Sequence, residues 1–155
     1  MIDPASEYSA AVAAVDSRII VLRERIQRMY DQATSTGASN TGDGIYSGPS
    51  DRIGRQASVI VDAERQLQRL YDIRDNLDSA MISLIDTLPD ADERTVLTLR
   101  MVYKVSHSKT AQGAGMSERT EYRVYKRGIS HLKKRGRTQQ YTKLRNLTVF
   151  GSVWQ

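Results

Sequence analysis

The side chains best suited to specific chemistry lie in a C-terminal stretch that begins at Ser117. A serine there can cap a helix, and the segment after it is rich in arginine, lysine, threonine and tyrosine. Arginine can pair with guanine through two hydrogen bonds, glutamate can accept one from cytosine, and serine or threonine can bond to either base. The residues expected to meet base edges are Ser117, Glu118, Arg119, Thr120, Tyr122 and Arg123.

A second set of residues is better placed for phosphate groups, which position a protein on double-stranded DNA without reading its sequence. In the same helix these are Lys126, Arg127, Lys133, Lys134 and Arg135, with Arg137 following. Ser106 and Lys109, with His107 and Ser108 between them, lie where a preceding short helix would meet the DNA backbone. A three-helix bundle with a charged outer face and no ligand is the alternative interpretation.

Charge is distributed unevenly along the 155 residues, whose net charge is +5 at neutral pH. Residues 1–90 hold 9 Lys and Arg against 14 Asp and Glu, whereas residues 91–155 hold 14 against 4. A mildly acidic N-terminal part joined to a strongly basic C-terminal part indicates a polyanionic partner at the C-terminal end. A solvated basic surface is the alternative that charge alone leaves open.

Three short helical patterns organise the basic stretch. The Leu88-Pro89 pair marks a boundary, and Asp90 with Glu93 gives a D-x-x-E start to the first helix. Capping and solvation are expected to account for the acids in this region. The apolar side of this helix is expected at Val96, Leu97, Leu99, Val102 and Tyr103.

The second and third patterns follow after short breaks. Ser106 can cap the second helix, and Gly115 ends it as a tight-turn glycine would. Ser117 caps the third helix, whose inward side is expected at Val124, Gly128, Ile129 and Leu132. This layout predicts a helix-turn-helix whose third helix enters the major groove of DNA.

Two long helices are predicted in the N-terminal part. Asp3 and Pro4 can start the first, and Ser50 or Asp51 can start the second, which should stop at Pro89. Apolar residues recur in both at steps of three and four, the rhythm of a coiled-coil seam. The seams run through Tyr8, Val12, Val15, Ile19, Leu22, Ile26 and Met29, and through Ile53, Ala57, Ile60, Ala63, Leu67, Leu70, Leu77, Met81, Leu84 and Leu88. Arg74 falls within the second seam and needs a partner there.

These patterns predict an all-α chain in three parts. Residues 1–88 form a helical hairpin or coiled coil that dimerises, with a Gly/Ser-rich linker at 34–50. Residues 89–137 form the helix-turn-helix DNA-binding domain, and residues 138–155 form a tail. The tail ends in apolar residues that either fold back on the protein or dock on another one.

Enzymatic chemistry finds little support. No nucleophile, base and orienting group stand together, so no catalytic residue is predicted. Cysteine is absent, and His107 and His131 have no metal-ligand spacing around them, so neither a metal nor a cofactor is predicted. His131 is expected on the helix surface or at a phosphate. No apolar run approaches the ~18 residues of a membrane helix, and the default location is the cytoplasm.

Two motifs resemble known families. LPDADERTVLTLR, followed by Ser106 and SERTEYRVYKRGISHLKK, resembles region 4 of bacterial sigma factors. The heptads, the glycine-rich break, SGPSDRIGRQASVIVDAE and the Y-x-x-R from Tyr71 to Arg74 make the whole plan similar to the phage RinA/ArpU-like late transcriptional regulators, over roughly residues 15–135. The resemblance implies DNA binding in phage or prophage gene control in a bacterial cytoplasm, with host RNA polymerase as a further candidate partner.

The chain departs from that family at four positions. Thr110 stands where the family has isoleucine, and Glu121 stands in an apolar slot, so it either turns outward or destabilises the helix. Gly113 and Gly128 are expected to weaken their helices. Two other functions remain open beside a homodimeric regulator. One is a phage DNA-packaging subunit of the small-terminase kind, which would form a ring, and the other is a coiled-coil adaptor that binds an acidic protein.

Overall fold

The computed structural model describes residues 3–35 and 49–135 with Thr142 and Asn146, leaving out the side chains of residues 49–53. Every regular element in these ranges is helical, which confirms the all-α prediction. The elements are α1 (Pro4–Ser35), α2 (Pro49–Ile85), α3 (Ala91–Leu97), a π-helical turn (Thr98–Val102), α4 (His107–Gly113) and α5 (Glu118–Lys134). Most of the predicted linker and of the predicted tail lie outside the described residues.

The ends of the long helices follow local signals only in part. Asp3 caps α1 as predicted, because its Oδ1 accepts a hydrogen bond from the Ala5 N–H at 3.2 Å. The second helix begins at Pro49, one residue before the first predicted start. The helix ends at Ile85, four residues before the predicted stop at Pro89. The chain forms a turn there, in which the Leu88 N–H donates a hydrogen bond to the Ile85 carbonyl at 2.9 Å.

Contacts divide the chain into two compact units. Unit one comprises residues up to Ala14 and from Ile73 onward, and unit two comprises Val15–Asp72. Each long helix therefore contributes one end to each unit. The residues of α3, α4 and α5 all belong to unit one, together with the first turns of α1 and the last turns of α2.

Unit two is a pair of helical segments whose apolar seams are partly buried. The prediction that Ala57 belongs to a buried seam is wrong, since it is exposed, and Leu22, Met29, Leu67 and Leu70 are half-buried. Tyr30 of α1 donates a hydrogen bond to Oε1 of Glu64 in α2 at 2.6 Å, and this bond raises the pKa of the Tyr30 hydroxyl. The predicted seam residues that are fully buried in this unit are Val15, Ile19, Ile26, Ile60 and Ala63. Their three- and four-residue spacing is the one that places side chains on a single face of a helix.

Unit one has a continuous apolar core to which both long helices contribute. Its almost completely buried side chains are Tyr8, Leu77, Met81, Leu84, Ile85, Leu88, Val96, Leu97 and Leu132. Burial of each such side chain contributes about 1.5–3 kcal/mol. The Tyr8 hydroxyl donates to Asp78 Oδ1 at 2.6 Å, and Arg74 pairs with the same carboxylate. Arg74 thus has the partner that a charge in an apolar seam requires.

The π-helical turn after α3 changes which side chains face the core. The Tyr103 N–H donates to the Thr98 carbonyl at 3.1 Å, a five-residue step that turns the chain less per residue than an α-helix. Met101 is therefore buried, whereas Tyr103 is 62% exposed. The prediction that Tyr103 lies on the apolar side is wrong for this reason.

Candidate nucleic-acid interface

The predicted contact residues lie at the surface of unit one. Arg135, at the C-cap of α5, and His107 are half-buried, and Arg137 lies outside the described residues. The exposed ones are Ser106, Lys109, Ser117, Glu118, Arg119, Thr120, Tyr122, Arg123, Lys126, Arg127, Lys133 and Lys134. The set therefore satisfies the first condition for contact with a large ligand.

The start of α5 is defined by a cap and a tight turn. Ser117 caps the helix as predicted, since its Oγ accepts a hydrogen bond from the Thr120 N–H at 3.2 Å. Gly115 has a φ of +66°, in the left-handed region that glycine adopts without strain. Ser106 occupies the N-cap position of α4 as predicted, but its side chain makes no capping hydrogen bond.

The two faces of α5 differ sharply in chemistry. The inward face is formed by the buried residues Glu121, Val124, Gly128 and Leu132. Because an α-helix turns by about 100° per residue, the opposite face passes through positions 119, 123, 126, 130 and 133. Four of these five residues are basic, namely Arg119, Arg123, Lys126 and Lys133. Both glutamates of α5 lie off this face, and Glu121 is buried behind it.

Ion pairs separate the cations of α5 into two groups. Arg127 donates to Oδ2 of Asp90 at 2.5 Å and also pairs with Glu93, and Lys133 lies 3.1 Å from Asp3. The hydrogen bond to Glu93 raises the pKa of Arg127. Arg119 and Arg123 have no such acidic partner among the described residues. They keep their charge available for a ligand.

Glu93 is the centre of the first of two buried carboxylate clusters. Its side chain is completely buried, and its carboxylate bonds to the Arg127 guanidinium and to His131 Nδ1, the latter at 2.8 Å. Asp90 joins the Glu93 cluster through Arg127 and caps α3 by accepting from the N–H groups of Glu93 and Asp92. The hydrogen bond from the Glu93 N–H holds the pKa of Asp90 below its usual range.

Two predictions fail at the Glu93 cluster. Solvation does not account for Glu93, because its carboxylate is buried between α3 and α5. His131 is not simply a surface residue, since it is half-buried and bonds to Glu93. Both outcomes depend on partners more than thirty residues away in the sequence, so helical periodicity gave no sign of them.

Glu121 is the centre of the second cluster. It faces inward and is completely buried, and Arg100 donates to its Oε1 at 3.1 Å. The Nδ1 of His107 contacts the other carboxylate oxygen. The Arg100 guanidinium also lies over the Tyr125 ring, 4.7 Å from its centroid. Glu121 therefore does not turn outward, and it has two nitrogen partners where it is buried.

His107 connects the Glu121 cluster to the exposed face of α5. Its ring meets the Tyr122 ring edge-on, with 6.2 Å between centroids and 77° between planes. The Lys126 Nζ lies 4.7 Å from the centroid of the same Tyr122 ring. Sequence reasoning missed this chain of contacts. The one available signal was a glutamate at an apolar position of a helix, which needs a buried partner.

None of the described helices has the length and hydropathy needed to cross a membrane. Within the described ranges, no three His, Asp or Glu side chains are arranged to hold a metal ion. Comparison of the chain with known protein families, with curated proteins and with solved structures finds no match.

Proposed function

We propose that this chain is a sequence-specific DNA-binding transcriptional regulator of phage type, with α4, the Gly115 turn and α5 acting as a helix-turn-helix. The observation that carries the proposal is the exposed basic face of α5, from which both acids of that helix are excluded. Such a face favours polyanion binding, because its cations attract phosphate groups with no carboxylate between them.

The dimensions of α5 suit the major groove. Its 17 residues give a rod of roughly 25 Å, and the groove, about 12 Å wide, admits one α-helix. The turn at Gly115 and the cap at Ser117 support a short preceding helix followed by a longer reading helix, which is the order in a helix-turn-helix. Arg119, Tyr122 and Arg123 lie in the N-terminal half of α5, the half that meets base edges in this motif.

The two groups of cations support different roles. Arg119 and Arg123, without acidic partners among the described residues, are the candidates for paired hydrogen bonds to guanine. Lys126, Lys133 and Lys134 lie farther along α5 and suit phosphates. Arg127 is exposed but already paired with Glu93 and Asp90, so it suits a phosphate more than a base edge.

The decisive experiment is DNA binding at several salt concentrations, with duplexes selected from a random library. Wild-type protein should enrich a sequence, and its affinity should fall steeply with salt because phosphate contacts release counterions. The double substitution Arg119→Ala and Arg123→Ala should abolish the enrichment. A matched control is Arg65→Ala with Arg69→Ala, which removes the same charge from exposed positions of α2 in unit two. Equal loss in both variants would contradict α5 as the reading helix.

The regulatory part of the proposal rests on the resemblance to phage late regulators. A homodimer formed by the heptad-bearing helices would present two copies of α5 to two half-sites of DNA. Light scattering of the full chain should give the mass of two copies, and a mass of eight or more would favour a packaging ring instead. Transcription by host RNA polymerase from a template that carries the selected site should change when the protein is added. An unchanged transcript level would contradict the regulatory role.

A further inference from the structure

A buried carboxylate lies directly behind the base-facing end of α5. Glu121 is flanked in sequence by the exposed residues Thr120 and Tyr122, yet its own side chain is completely buried. Arg100, in the π-helical turn, bonds to one carboxylate oxygen, and His107, the first residue of α4, contacts the other. The three side chains join three different elements at the point where α5 begins.

The contacts of Glu121 extend to the surface through aromatic rings. His107 meets Tyr122 edge-on with 6.2 Å between ring centroids, and Tyr122 is 48% exposed. Lys126 covers the same ring with its Nζ 4.7 Å from the centroid. A single buried group therefore constrains two neighbouring side chains on the exposed face of α5, one aromatic and one cationic.

We infer that Glu121 is a positioning residue for sequence recognition: through His107 it holds Tyr122 in the orientation in which it meets a base edge. This inference rests on the proposed function. A base contact discriminates only when its groups are held in a fixed place, whereas contacts to phosphates tolerate more movement and are common to all sequences. Loosening the Glu121 cluster should therefore reduce specificity more than general affinity for DNA.

The Glu93 cluster supplies a matched internal control. Glu93 is an equally buried glutamate, and it likewise lies against one arginine and one histidine from another helix. Its partners Arg127 and His131 lie in the C-terminal half of α5, and Arg127 is six residues, or roughly 9 Å, beyond Glu121. Glu93→Gln and Glu121→Gln therefore remove the same charge from the same kind of site, at opposite ends of the reading helix.

The test measures the ratio of affinities for two duplexes. The first is the duplex that wild-type protein enriches from a random 20-base-pair library, and the second is a scrambled duplex of the same composition. Glu121→Gln should lower the ratio roughly five-fold or more, the loss expected for one base contact, with the slope of affinity against salt unchanged. Glu93→Gln should keep the wild-type ratio, because any change in Arg127 alters phosphate contacts to both duplexes alike.

A second variant keeps the test decisive if Glu121→Gln does not fold by circular dichroism. His107→Gln changes a half-exposed residue, leaves a polar partner for Glu121 and removes the ring that contacts Tyr122. It should lower the affinity ratio in the same way. The inference would be overturned if the folded variant of these two kept the wild-type affinity ratio. It would also be overturned if Glu93→Gln lowered that ratio equally. Failure of wild-type protein to enrich any sequence is a different result and would overturn the proposed function itself.

Discussion

Gly128 sits where α5 comes closest to α3, and replacing it with alanine is the most direct test of how unit one packs. A Cβ at position 128 would lie 2.8 Å from Cδ1 and 3.1 Å from Cγ of Leu97, and 3.5 Å from Cβ of Glu93. Leu97 and Glu93 are both completely buried, so neither side chain has open space to move into. Glycine at 128 is therefore a packing requirement and not a weakness of the helix.

Two opposing free-energy contributions decide how much Gly128→Ala changes the stability of the protein. Alanine in place of glycine inside a helix stabilises it by about 1 kcal/mol through backbone entropy. Forcing an extra carbon into a well-packed core costs about 1–3 kcal/mol. The steric cost should exceed the gain in helix propensity, so Gly128→Ala should destabilise the protein by up to about 2 kcal/mol. Helix propensity alone predicts the opposite sign for this substitution.

The assay is denaturant unfolding followed by circular dichroism, with two comparisons. Gly113→Ala, where a Cβ would meet nothing within 4 Å, should stabilise by about 0.5–1 kcal/mol. In a Leu97→Val background, which removes the Cδ1 atom, Gly128→Ala should cost less than it does alone. The close approach of α3 and α5 would be refuted if Gly128→Ala raised the unfolding midpoint as Gly113→Ala does.

Three further predictions concern unit one. Thr110 is completely buried, and its Oγ1 has no hydrogen-bond partner among the described residues, so Thr110→Val should stabilise by about 1 kcal/mol in the same unfolding assay. Asp90 has a lowered pKa, so the stability it contributes is complete above its unfolded pKa of about 3.9 and is lost as the pH falls through the lower folded value. Asp90→Asn should therefore reduce the loss of stability measured between about pH 5 and pH 2. Residues 88–135 expressed alone should fold poorly by circular dichroism, because the fragment lacks Tyr8, Leu77, Met81, Leu84 and Ile85 of its own core; cooperative melting near the full-length midpoint would contradict this.

The sequence predicts those parts of the fold that depend on local geometry. Helical periodicity gives the buried seam positions of α1 and α2, and the caps at Asp3 and Ser117 follow from residue type and position alone. Tyr103 shows where the periodicity fails. Tyr103 is exposed because the π-helical segment before it changes the direction in which the following side chains point. No residue type in the sequence marks that segment.

The sequence also predicts only those parts of the candidate site that depend on local geometry. Exposure of the basic residues of α5 follows from the amphipathic pattern, because their apolar neighbours occupy the opposite face. The partners of Glu93 and Glu121 depend on how α3, the π-helical turn, α4 and α5 meet, and the groups in contact lie 14 to 38 residues apart. Gly128 is a further example. From the sequence it is expected to destabilise α5, whereas in the structure Leu97 lies against it and leaves no room for a larger side chain.

The two buried glutamates connect α5 to α3, to α4 and to the π-helical turn. Glu93 bonds to Arg127 and His131 of α5, whereas Glu121 accepts from Arg100 of the π-helical turn and contacts His107 of α4. Because a buried carboxylate oxygen left without a donor costs about 1–3 kcal/mol, both acids depend on the nitrogen groups that lie against them. An acid that looks like a defect on an apolar helix face, as Glu121 does, is therefore part of the packing of unit one.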